Sequence, residues 1–292
     1  MAAASVSGDP RGWALIVMSE AELAAMRAAE GDAVVAGRGC HWRASFPGFY
    51  QPVHLLARMR AAALRPPAPF CWGFRAALAE QDAHLANATL PLHLLGDLAH
   101  FDERALSRNR RGDLRRCRRQ VELRCLEGPG LLLEQGHPVF MSAVRRLGHW
   151  RPLSVRAYRQ RVRRRAAHGR RLIVAGLVDG TLRGYLDSYA VDGVLHTDEI
   201  FVASDALRTG IGTGLYVEAI HAALRHGGVH AVCNGLPRPE DANLSRFKEG
   251  LGFRVVTLPA RAVMPAPIRA WLRANRPATY YRLTGDVGSA PA

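Results

Sequence analysis

The chain has 292 residues, 48% of them hydrophobic, with five cysteines and a formal net charge of +15. No apolar run reaches the ~18 residues of a membrane span, residues 1–10 lack a basic start and apolar stretch, and Cys40, Cys71, Cys117, Cys125 and Cys233 form no CxxC pair. A membrane protein, a secreted disulfide scaffold and a zinc module are all argued against, leaving a soluble, cytoplasmic chain long enough for two domains.

Residues 1–10 read as a disordered leader. Trp13 to Met18 reads as a strand, and Ser19 with Glu22 forms a capping box for a helix that Gly31 ends. From Ala33 to Tyr50 the pattern is weak. Gln51 to Leu64 has helical periodicity, the Arg65-Pro66-Pro67-Ala68-Pro69 run is a break, and Phe70 to Phe74 and Leu90 to Leu95 read as short strands. Between Phe101 and Val121 the residues Arg104, Arg108, Arg111, Arg115 and Arg118 recur at spacings of four and three, a basic stripe opposite Leu106, Leu114, Cys117 and Val121. A second basic helix, Val155 to Ala167, carries Arg156, Arg159, Arg163 and Arg164. Such stripes are either solvated faces or sites for an anionic partner, a phosphorylated cofactor or RNA.

From Arg171 onward the signals sharpen. Leu172 to Val178, Thr181 to Ala190 and Val194 to Val202 are apolar strands separated by Asp179-Gly180 and Asp192-Gly193, so an antiparallel meander is expected. A glycine-rich turn, Thr209-Gly210-Ile211-Gly212-Thr213-Gly214, then opens a helix that runs to about Arg225. Glycines admit a close ligand, and the N–H groups of a helix start favour an anion. A dinucleotide fingerprint and a Walker loop both fail here: the preceding strand is antiparallel to its neighbour, and the turn has no Lys. A buried strand, Val229 to Leu236, follows through a crossover that makes it parallel to an earlier one. The remainder reads as a helix capped by Asp241 or Asn243 and ending at Leu251-Gly252-Phe253, a strand Arg254 to Ala262, a helix Pro265 to Asn275 closed by Pro277, and a last strand Thr279 to Leu283.

Val202, the loop Ala203 to Thr209 and Gly210-Ile211-Gly212 resemble the acyl-CoA loop of the Gcn5-related N-acetyltransferase (GNAT) superfamily, with Leu207 where an Arg or Gln usually stands and Arg208 next to it. The resemblance implies an α/β (α+β) fold with a mixed sheet whose central strands splay around the cofactor, preceded by a smaller or degenerate GNAT-like half. It divides the chain into an N-terminal α/β domain over 11–100, an Arg-rich connector over 101–170, a catalytic core over 171–285 and a tail over 286–292. It also implies an enzyme acting on amino groups, with acetyl-CoA or another acyl-CoA held by Phe201, Val202, Arg208, Thr209, Gly210, Ile211, Gly212, Thr213, Gly214, Asn243 and Phe247, and no metal. Candidate bases are Asp198 and His196, four and six residues before Val202 and on one strand face, with Glu199 taking that place if the strand is bulged.

Where GNAT enzymes commonly carry Tyr in Tyr-x-x-x-Gly-Phe, this chain has Lys248, its one lysine. An ammonium there can stabilise a departing thiolate or alkoxide. Phe247-Lys248 before Gly252-Phe253 is similar to the Fem-like (FemAB/FemX-type) bacterial branch, as is the Leu106-to-Arg116 run, and that branch takes aminoacyl groups from tRNA. Three functions therefore stand: an N-acyltransferase using acyl-CoA on a small-molecule or peptide amine, a Fem-like transferase using aminoacyl-tRNA, and a non-enzymatic RNA- or partner-binding protein on a GNAT-like fold. Acceptor and oligomeric state are left open.

Overall fold

The computed structural model describes residues 15–37, 39–148 and 150–286; the leader expected at 1–10 and residues 287–292 of the expected tail lie outside them. The chain runs β1 (Val17–Met18), α1 (Glu20–Glu30), β2 (Val34–Gly37), β3 (Cys40–Phe46), β4 (Phe49–Pro52), β5 (Arg58–Met59), β6 (Gly73–Leu78) and β7 (Ala88–Leu95). It continues through α2 (Arg108–Gln120), β8 (Glu122–Cys125), α3 (His137–Leu147), α4 (Val155–Ala166), β9 (Leu172–Val178), β10 (Thr181–Val191), β11 (Val194–Val202), α5 (Ile211–His226) and β12 (Ala231–Cys233). It closes with α6 (Ala242–Gly250), β13 (Arg254–Val263), α7 (Ala266–Asn275) and α8 (Pro277–Thr284).

Two compact units result, and neither is continuous in sequence. One gathers residues 15–17, Leu95–Asn234 and Phe247–Phe253; the other gathers Met18–Leu94, Gly235–Arg246 and residues 254–286. The first will be called the meander unit. In it the strand order is β12-β11-β10-β9-β8, antiparallel except that β12 lies parallel to β11. Asp179, Gly180, Asp192 and Gly193 all have positive φ, between 47° and 76°, the backbone that a two-residue turn between right-twisted strands demands. The mixed sheet and its hairpins are thus present as the sequence indicates. A large apolar cluster lies in this unit, including Phe140, Tyr158, Leu195, Phe201, Ile211 and Leu215.

The second unit holds the order β2-β3-β4-β6-β13-β7, with β5 beside β6. Here local pattern misleads more often. Gln51 to Leu64, expected as a helix, is the end of β4, a turn, β5 and one 3-10 turn (Ala61–Ala63), because pairing of β4 with β3 and β6 takes the backbone hydrogen bonds a helix would use. Thr279 to Leu283, expected as a strand, is helical. Pro277 stands at the start of α8 rather than merely after α7, and Gly285 closes it in the left-handed conformation. The weakly patterned stretch Ala33 to Tyr50 forms β2, β3 and the start of β4, and the strand placed at Phe70 to Phe74 begins at Gly73.

In the meander unit the helix expected from Phe101 starts only at Arg108, capped by Ser107. The strand expected over Val229 to Leu236 is three residues long. On α2 the stripe residues Arg108, Arg111, Arg115 and Arg118 are exposed, while Leu114 and Cys117 are buried.

A candidate active site where two strands part

β11 and β12 pair over three residues, Val194 with Ala231, Leu195 with Val232 and His196 with Cys233. From Thr197 to Val202, β11 pairs with β10 on its other edge, while the chain leaves β12 at Asn234 and turns at Gly235, whose φ is +58°. The splay is therefore made by a short β12 followed by a residue that only a glycine tolerates well. Thr197 Oγ1 closes the last rung by donating to the Cys233 carbonyl at 3.3 Å.

A buried polar cluster sits at this fork. Asn234 Nδ2 donates to the Tyr216 hydroxyl of α5 at 2.6 Å, and Lys248 Nζ, from α6, donates to the Asn234 carbonyl at 3.0 Å. Lys248 is only 4% exposed. Burial pushes the Tyr216 phenol up to about 12, a rise that hydrogen bonds from Asn234 and Thr197 partly offset, so Tyr216 is a neutral hydroxyl at physiological pH. The Phe247 ring lies 5.8 Å from that of Tyr216, and the Arg110 guanidinium of α2 covers it at 4.7 Å from the centroid. A reacting carbonyl brought to this fork would find an ammonium and a hydroxyl already oriented, the arrangement that stabilises developing negative charge. Tyr216, Asn234, Thr197 and Arg110 did not stand out in the sequence. The available signal was a lone Asn inside the apolar run Val229 to Leu236.

His196, Asp198 and Glu199 are placed otherwise. The β10 to β11 register shifts between Asp187 and Ser188, which pair with Glu199 and Thr197; Asp198 is the extra residue of a β-bulge. The bulge cancels the expected alternation, and Asp198 and Glu199 both reach the arginines of α4. Arg165 donates to Asp187 at 2.8 Å and to Asp198 at 2.6 Å, Arg171 bridges the same two carboxylates at 2.9 and 3.0 Å, and Arg161 pairs with Glu199. Burial alone would raise the Asp187 pKa, but Arg165 and Arg171 outweigh it and hold that carboxyl below its ordinary range. His196 is buried and stacked on Tyr189, with centroids 5.2 Å apart and planes 6° apart. Thr197, by contrast, turns toward Tyr216. Asp198 and Glu199 thus belong to an ionic layer with α4, and His196 packs beside it on Tyr189.

The glycine turn is real, and most of its closeness is spent on the protein itself. Gly210 has φ +80°, and a methyl group there would collide with the Asp113 carbonyl of α2; one at Gly214 would collide with Cys117 Sγ. Arg110 Nη1 reaches the Thr213 hydroxyl at 3.4 Å. Ile211 is fully buried, with a methyl at Gly176 of β9 falling 2.7 Å from its Cδ1. Thr209 Oγ1 accepts from the Ile211 N–H at 3.3 Å, and the Thr213 and Gly214 N–H groups go to the Gly210 carbonyl at 3.0 and 3.1 Å. Gly212 differs: its nearest neighbour to a methyl is the Phe247 ring at 3.8 Å. Arg208 is exposed, Phe201 and Val202 are buried, and the Val202 carbonyl accepts from Arg146 Nη1 at 2.9 Å. Asn243 is exposed, bonded to Arg246 at 2.7 Å; the cap of α6 is Asp241, which accepts from the Leu244 N–H at 2.9 Å.

The cysteines are all free thiols, and burial lifts Cys117 to about 11 and Cys40 to about 12. Among the described residues no group of three or more His, Cys, Asp or Glu could hold a metal ion, and no helix is long and apolar enough to cross a membrane.

Residues 140–253 match the model of the acetyltransferase (GNAT) family. A search of curated proteins finds no match. Among solved structures the chain is similar to the C-terminal (DUF2156) domain of an Agrobacterium fabrum protein described as a lysylphosphatidylglycerol synthetase, at 12% identity and a TM-score of 0.58, covering 91% of this chain and 98% of that one. It is similar to FemX at 8% identity and 0.58, covering 88% and 99%, and to L-PGS from Bacillus licheniformis at 12% and 0.54, covering 94% and 99%. At such identities the likeness is one of fold, and it spans nearly the whole of each chain.

Proposed function

We propose that this chain, which has a GNAT-superfamily, Fem-like fold with its GNAT-family segment at residues 140–253, is an acyltransferase that forms an amide on an amine acceptor. The observation that carries the reading is the parting of β11 from β12 beside the buried Lys248. The amine nitrogen attacks the acyl carbon, the bond from that carbon to its carrier breaks, and one amine proton passes to the departing atom. Lys248 and the Tyr216 hydroxyl supply donors toward the oxygen that gains charge. The edge of β11 beyond His196, where β12 pairing ends, offers backbone groups as far as Phe201 to the extended arm of the donor.

The donor best supported is an aminoacyl-tRNA. In the acyl-CoA reading the glycine turn must receive a pyrophosphate, yet α2 packs on that turn through Asp113, Arg110 and Cys117. The same helix turns Arg108, Arg111, Arg115 and Arg118 outward, a row suited to a phosphate backbone. Acyl-CoA is the second reading, favoured by the uncrowded Gly212 and the exposed Arg208 beside it. Incubation of the protein with aminoacyl-tRNA, or with acetyl-CoA, and a panel of amines distinguishes them by mass spectrometry of the product. The tRNA reading expects RNase-sensitive product and tRNA binding that weakens steeply with salt. Saturable sub-millimolar binding of acetyl-CoA with RNase-insensitive turnover would overturn it in favour of the second.

A further inference from the structure

A pocket of about 460 Å³ in the second unit has no place in the acyl-transfer reading. Its walls come from four separate stretches: β3 with Arg43 and Ser45, β4 with Gln51, the segment Leu236 to Arg238 that follows β12, and α8 with Thr279 and Arg282. The placement follows from simple periodicities. Gln51 is the cross-strand partner of Arg43, and the β3 to β4 pairing shifts by one residue at Ser45, between Ala44 and Phe46. Thr279, Arg282 and Leu283 lie three and four residues apart on one face of α8. Three guanidiniums therefore converge from three elements, and no lining residue is acidic.

The acidic partners of Arg43 and Arg282 lie outside the pocket lining. Arg43 meets Asp32 at 3.5 Å through Nη1, but its Nε is buried without a hydrogen-bond partner. Arg282 meets Glu240 at 3.2 Å, with both side chains about half exposed, so solvent screens the pair. Burial, and then the neighbouring charge of Arg282, depress the pKa of Arg238 against the pull of Glu240 and Asp241. Gln51, cross-strand from Arg43, is buried on the same wall. Like charges and the unpartnered Arg43 Nε, gathered around a cavity in the usual size range for small ligands, are what an oxyanion would satisfy.

We propose that this pocket binds a phosphorylated small molecule, its phosphate seated among Arg43, Arg238 and Arg282 with the Gln51 amide as a neutral donor. Three cations approaching from separate directions match a tetrahedral, multiply charged phosphate or diphosphate better than a planar monocarboxylate. The inference does not rest on the meander unit being a transferase.

Calorimetric titration of the full chain with inorganic pyrophosphate, alongside citrate as a carboxylate probe, tests it. Pyrophosphate is expected to bind saturably, with affinity at least tenfold weaker in Arg43→Gln and in Arg282→Gln and unchanged in Arg254→Gln, an exposed arginine of β13 in the same unit. Arg238→Gln is expected to behave like the other pocket variants. Should it fail to fold, as read by circular dichroism, the Arg43 and Arg282 variants carry the comparison. The proposal is overturned by absence of pyrophosphate binding, by wild-type affinity in both Arg43→Gln and Arg282→Gln, or by an equal loss in Arg254→Gln, which would mark a diffuse charge effect. Citrate binding more tightly than pyrophosphate would overturn the assignment of phosphate.

Discussion

Lys248 is the residue at which a stability role and a chemical role separate most cleanly. Replacing it by Met keeps an unbranched chain of similar length in a site only 4% exposed and removes the ammonium with its hydrogen bond to the Asn234 carbonyl, so a stability loss of about 1–3 kcal/mol is expected. Transfer rate is expected to fall on the order of 10²–10³-fold, the effect of deleting one preorganised donor. Paired thermal melts and single-turnover rates check this; an unchanged rate would remove Lys248 from the chemistry. Asp187 makes the opposite case. It accepts from Arg165 and Arg171 within 2.9 Å, and Asp187→Asn leaves two guanidiniums short of a buried counter-charge. A loss of about 3–5 kcal/mol by urea unfolding is expected. Strand alternation put His196 and Asp198 on one face, whereas the bulge at Asp198 turns both Asp198 and Glu199 toward α4, and no composition signal marks a bulge.

At the level of elements, α2 and the glycine turn form one packed joint. Gly210→Ala and Gly214→Ala would each drive a methyl into α2, at Asp113 and Cys117, so each is expected to destabilise by about 1–3 kcal/mol, with the positive φ of Gly210 adding strain. Gly212→Ala meets open van der Waals space and is expected to change stability by less than about 1 kcal/mol. Urea midpoints of the three variants check the ordering. If Gly212→Ala nonetheless abolishes turnover while the chain stays folded, the Gly212 backbone faces the donor. The turn was legible from its glycines, whereas its occupant was not: glycines look the same in sequence whether a phosphate or a helix backbone comes close.

At the level of the whole molecule, charge is organised in depth. Exposed arginines stripe α2 and α4, while Arg161, Arg165 and Arg171 lie inside an ionic layer with Asp187, Asp198 and Glu199. Asp187 has a folded pKa below its ordinary 3.8. Its contribution to stability is therefore complete above that unfolded value and disappears as pH falls through the lower folded one. Urea unfolding between about pH 5 and pH 3 is expected to show stability falling with acid, and Asp187→Asn is expected to flatten that slope. A slope as steep in the variant as in the parent would place the acid-sensitive group elsewhere.

The sequence by itself determined the meander, its two Asp-Gly turns, the crossover helix α5, the basic stripes and the position of the lone lysine. Each is encoded by neighbours within a few residues, where period, turn residues and caps act directly. Only tertiary structure decided that β12 stops after three residues and leaves the fork, that the carboxylates of β11 answer to α4, and that residues 254–286 fold with the second unit. Those outcomes depend on groups far apart in the chain, whose pairing overrides local preference wherever burial and opposite charge are gained together.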